Sequence, residues 1–94
     1  MKKKNQLFNL DILVGNWESV NLNPTVIIYK NNNVYMLSII YINETTKQAS
    51  PATYEIQEDE VGYFIYLSFK RKAISYDAQM DTLSISSLGD YMRN

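Results

Sequence analysis

Cysteine and histidine are both absent from this 94-residue chain. Without cysteine there is no disulfide framework and no thiolate metal site, and the chain is indifferent to its redox compartment. Without histidine the commonest metal ligand is missing, together with the only side chain whose unperturbed pKa lies between pH 5 and 8. General acid–base chemistry would fall to carboxylates, and a nucleophilic serine would need lysine as its base. An excess of one charge is also lacking. Nine basic residues against ten acidic ones leave a net charge of −1, which supplies no global field for steering the chain onto nucleic acid or an anionic membrane. No run approaches the roughly 18 apolar residues of a membrane-spanning helix. Met1-Lys2-Lys3-Lys4 resembles the start of a secretory signal, but Leu7 to Val14 is interrupted by Asn9 and Asp11 and lacks a small-residue cleavage site. The expectation is a soluble, cytoplasmic protein.

What the chain does contain is a succession of short apolar runs separated by turn residues. Its length predicts one domain over 1–94, burying roughly 60 to 65% of the surface that the unfolded chain would expose. Over 5–14, Leu7, Leu10 and Val14 share one helical stripe and Phe8 and Ile12 an adjoining one, which predicts a short helix with Asn9 and Asp11 facing water. Gly15 is suited to end it. From Asn16 onward the pattern is extended. Strands are expected at 16–20, 25–30, 34–43, 52–58, 62–69 and 73–78, and a last one from Thr82 to Leu88, with Asn31-Asn32-Asn33 forming a hairpin turn. Lys70-Arg71-Lys72 reads as a turn. Leu88 shifts parity before Gly89, which suggests a β-bulge, with Tyr91-Met92-Arg93 continuing the final strand.

Seven strands with no room for crossover helices predict an all-β, antiparallel up-and-down meander. Curling into a barrel or half-barrel would remove its exposed edges, and an interior of this size would be largely filled by side chains. Strands 34–43 and 62–69 are apolar on both faces, so something must cover the outer one. Either a homodimer or partner protein does so, or the curled sheet buries both strands with help from the helix and loops.

Gly15-Asn16-Trp17, after a short helix and at the opening of the first strand, resembles the Gly-x-Trp signature of the lipocalin and fatty-acid-binding (calycin) barrels. In that superfamily the Trp packs beside a basic residue of the final strand. The resemblance therefore implies that Arg93 stacks its guanidinium on Trp17. The chain looks closest to small bacterial lipocalin-like domains of unknown function, some of them encoded on mobile elements. It is much shorter than a true lipocalin, and the class lends it no activity.

Eight tyrosines lie almost entirely on expected strands. Tyrosine suits strands and barrel rims, but Tyr35, Tyr41, Tyr63 and Tyr66 are also candidates to line a ligand pocket or recognition face. Carboxylates gather in two turns, Glu58, Asp59 and Glu60 in one and Asp77 and Asp81 in the other. Alternation of the turns places both at one end, with Lys47, Lys70, Arg71 and Lys72 at the opposite end. Solvated turns explain both groups, although the basic rim could also receive an acidic partner or an anionic head group. The Asp77 to Asp81 spacing lacks the glycine and terminal glutamate of a calcium loop, so no metal and no cofactor are expected. The leading expectation is a non-enzymatic module for a small apolar or amphipathic ligand. An interaction module acting through the tyrosine-rich face is the alternative, and a carboxylate-only hydrolase ranks below both.

Overall fold

The computed structural model describes residues 9–20 and 24–93. Among them, nine antiparallel strands follow a short 3-10 helix, and the sheet curls into a near-complete barrel. The strands are β1 (Gly15–Ser19), β2 (Thr25–Asn31), β3 (Val34–Ile42), β4 (Ala49–Glu55), β5 (Gln57–Glu58), β6 (Tyr63–Leu67), β7 (Lys70–Asp77), β8 (Thr82–Ile85) and β9 (Gly89–Arg93). Their spatial order is β4-β3-β2-β1-β9-β8-β7-β6-β5. The first strand therefore lies beside the last, with Trp17 opposite Arg93 and Ser19 opposite Tyr91.

Alternation along each strand turns Trp17, Val26, Ile28, Leu37, Ile39, Ile65, Ile74, Leu83, Ile85 and Tyr91 into one core, which Leu10, Leu13 and Ile56 complete. Burying such a set of side chains, each contributing about 1.5–3 kcal/mol, is what favours closing the meander over leaving it flat. The 3-10 helix Leu10–Leu13 lies at one end of the barrel. The turns at Asn32–Asn33, Asp59–Gly62 and 78–81 share that helix end, while 43–48, Ser68–Phe69 and 86–88 share the far end.

Several expectations need correction. The described part of the expected helix is a single 3-10 turn, capped by the Asn9 side chain, which accepts from the Asp11 N–H at 2.9 Å; residues 5–8 lie outside the described residues. Leu10 and Leu13 face the core, whereas Ile12 and Val14 are exposed. Gly15 opens β1 rather than closing the helix, and its φ of +143° is a conformation that L side chains rarely adopt. The expected strand at 52–58 is two strands, broken at Ile56. Lys70-Arg71-Lys72 belongs to β7, and the reversal before it is the two-residue turn Ser68-Phe69, with φ of +55° and +66°. No bulge extends the last strand at Leu88. Residues 86–88 reverse the chain, Ser87 takes φ +72°, and β9 returns antiparallel to β8. Seven expected strands thus become nine.

The ring of strands closes by an unusual route. β4 and β5 are the two ends of the hydrogen-bonded order, yet they are consecutive in sequence. At Ile56 the chain changes neighbours: the Ile56 N–H still donates to the Tyr35 carbonyl of β3 at 2.8 Å, while Gln57 and Glu58 pair with Phe64 and Tyr63 of β6. The seam between β4 and β6 is bridged covalently at the helix end. Toward the far end, neither β4 nor the Ile65–Leu67 part of β6 has a ladder partner on the seam side.

Candidate functional site

Trp17 is fully buried, and its indole N–H donates to the Leu13 carbonyl at 2.8 Å, tying the 3-10 helix to the core. Over the indole face lies the Arg93 guanidinium, with Cζ 4.2 Å from the ring. The same guanidinium donates to the carbonyl of Ile12 at 2.7 Å and that of Val14 at 3.4 Å. Two further bonds reach the Asp81 carboxylate, at 3.2 and 3.0 Å. The Arg93 contact holds the Asp81 carboxyl below the usual carboxylate range, with help from the Tyr76 hydroxyl, which donates to it at 2.6 Å. A Cβ built on Gly15 would meet Arg93 Nη1 at 3.5 Å, an ordinary contact, so the φ of +143° and not the space is what favours glycine beside the guanidinium. Gly15, Trp17 and Arg93 are thus one structural cluster. Asp81, which sequence reasoning counted only among solvated turn carboxylates, is its fourth member.

Of the four candidate tyrosines, two meet. Tyr35 from β3 and Tyr63 from β6 line one cleft at the point where Ile56 changes partners, and both pack against the core. They line an open cleft of about 340 Å³ whose buried residues are Leu10 and Ile56 and whose polar lining includes Asn9, Glu55 and Glu58. The Tyr35 hydroxyl donates to the Asp11 carboxylate, and this bond is the main reason that its pKa lies above the ordinary phenol value. Lys30, directly across from Tyr35 in the β2–β3 ladder, holds its ammonium 5.2 Å from the Tyr35 ring centre. Burial raises the Tyr63 pKa, and the nearby Glu58 charge raises it further.

The other two candidates lie elsewhere. Tyr41 is exposed near the far end of β3. Tyr66 is on the outer face of β6, half exposed, with its ring edge toward Phe64 at 5.2 Å between centroids. Arg71 covers the other aromatic of this face, its Cζ 4.5 Å from the Phe64 ring, so Phe64 is buried although it points away from the core. Arg71 also donates to Asp59 at 2.9 and 3.0 Å, which holds the Asp59 carboxyl below its usual range. It therefore does not contribute to a basic rim at the far end. Lys72 is engaged as well, donating to the Ser87 hydroxyl at 2.9 Å.

Among the described residues, no group of three or more carboxylates is placed to hold a metal ion. No described helix is long and apolar enough to cross a membrane. Asp59 and Asp77 cap their own turns, the first accepting from the N–H groups of Val61 and Gly62 and the second from those of Gln79 and Met80. Sequence reasoning missed the cleft residues Leu10, Glu55 and Ile56, since nothing local marks the change of strand partners that brings them together. It also missed Phe69, whose position between two runs of strand residues was the available signal.

Fold and site together define a small antiparallel β-barrel domain with an open cleft at a strand switch. The chain belongs to the family described as "Domain of unknown function, B. Theta Gene description (DUF3876)", which it matches over residues 2–93. No curated protein and no solved structure matches it.

Proposed function

We propose that this protein is a non-enzymatic, lipocalin-like binding module that takes a small apolar or amphipathic ligand between Tyr35 and Tyr63. The observation that carries this reading is the cleft itself, which pairs a buried apolar floor with two phenol rings and a polar rim. Amphipathic rings over an apolar base are the usual chemistry of small-molecule sites. A volume of about 340 Å³ suits a molecule the size of an amino acid or a short-chain alcohol. The Trp17–Arg93 stack beside Gly15 supports the comparison with carrier barrels. Titration with hexanol, followed by amide chemical shifts and by melting temperature, tests the proposal. Saturable shifts clustered at Leu10, Tyr35, Ile56 and Tyr63, weakened in Tyr63→Ala, are the expected outcome. Shifts that never saturate, or that scatter over the outer face, would remove it.

A second reading is favoured by one observation. Phe69 is fully exposed at the tip of the β6–β7 hairpin, and with Tyr66 and Ser68 it bounds an open hollow of about 490 Å³. Such a surface suits protein–protein contact, either between two copies of the chain or with a partner. Sedimentation at increasing concentration distinguishes the two forms: a monomer throughout would eliminate the homodimer.

A further inference from the structure

We infer that the ligand of the Tyr35–Tyr63 cleft carries a cationic head group, an ammonium or a guanidinium, an assignment that rests on the cleft being a binding site at all. Among the described residues, the charged groups around it are Asp11, Glu55, Glu58 and Lys30, three carboxylates against one ammonium. Glu58 is not salt-bridged among the described residues and is exposed at the rim, where a bound cation would reach it, while Glu55 is opposite Met36 on the outer face and acts from farther away. The phenols reinforce this preference. Tyr35 has committed its only hydroxyl proton to Asp11, and the Lys30 ammonium also reaches its oxygen, so the phenol has no proton to offer anything entering the cleft. The faces of both rings carry the negative side of the aromatic quadrupole. An anionic head group would be repelled by the carboxylates, and a neutral one would gain nothing from them.

Lys30 shows the same preference from within the chain. Its register opposite Tyr35 brings an ammonium to within 5.2 Å of that ring. A ligand cation would share this field and be opposed by the Lys30 charge. Glu58 and Lys30 should therefore act on cation affinity with opposite signs, a pattern that loss of structure does not produce.

The test compares hexylammonium, hexanol and hexanoate, which share one tail and differ in the head group, on the full chain, with binding located by the amide shifts of Leu10, Ile56 and Tyr63. Hexylammonium is expected to bind about fivefold tighter than hexanol, a factor typical of one exposed cation–π contact, with hexanoate weakest. Glu58→Gln should weaken hexylammonium several-fold and Lys30→Gln should strengthen it, both leaving hexanol unchanged; added salt should erode the preference. If hexanol binds in the cleft as tightly as hexylammonium and neither substitution matters, the head-group assignment is overturned while the binding-module reading stands. Tighter binding of hexanoate also overturns the assignment. If none of the three perturbs the cleft, both readings fall together.

Discussion

Tyr91 and Trp17 are both fully buried aromatics with a polar atom, and the barrel treats them differently. The Trp17 N–H has the Leu13 carbonyl, whereas the Tyr91 hydroxyl has no hydrogen-bond partner among the described residues. Burial, and secondarily the proximity of Tyr41, raises the Tyr91 pKa. An unpaired buried hydroxyl costs about 1–3 kcal/mol, so Tyr91→Phe is expected to leave stability unchanged or raise it by about 1 kcal/mol. Urea denaturation measures the difference; a loss of comparable size would mean that the hydroxyl is bonded in solution. Tyr35 and Tyr76 provide the contrast, since their hydroxyls reach the Asp11 and Asp81 carboxylates.

The hairpins show why some elements are legible in a sequence and others are not. Asn31 to Asn33 between two β-branched runs signals a turn because asparagine tolerates positive φ, and Asn32 takes φ +60°. Ser68-Phe69 takes positive φ at both positions, where the asparagine turn does so only at Asn32, and it lacks the usual chemistry. Its φ values of +55° and +66° favour Asn-Gly, and nothing about Ser-Phe signals them, so the neighbouring Lys-Arg-Lys attracts the turn assignment instead. A left-handed conformation costs a residue with a side chain about 1–2 kcal/mol, and fully exposed Phe69 recovers none of it by burial. Phe69→Gly should therefore stabilise the domain by about 1 kcal/mol, read as a raised melting temperature. If the hairpin tip serves a partner, the same substitution should abolish that contact. The strand switch was illegible for another reason. Tyr54 and Ile56 keep one parity through the break, and periodicity records which face a residue takes, not which strand lies beside it. Tyr35 and Tyr63 could be read as inward-facing, but their meeting depends on that choice of neighbour.

At the scale of the molecule, two ion pairs among the described residues tie strands to neighbouring turns. Arg93–Asp81 links the last strand to the β7–β8 turn, and Arg71–Asp59 links β7 to the β5–β6 turn. Both carboxyls titrate lower in the folded chain, chiefly because of their arginines. An unfolded aspartate titrates near about 3.9, so each contribution is fully present above that value and is lost as pH falls through the lower folded one. Stability should therefore decline on acidification below about pH 4, and Asp81→Asn should flatten that decline, as urea midpoints across the acid range would show. The seam carries a different consequence. Pro51 lies in β4 opposite Ile40, and proline is accommodated in a paired strand where its nitrogen faces away from the partner. Along the unpaired margin of β4 there is thus a gap in the row of donors, which discourages β6 or a foreign strand from zipping the opening shut. Along that seam the barrel is held shut by side chains and not by a backbone ladder, so parting the two strands there would cost no paired backbone hydrogen bonds.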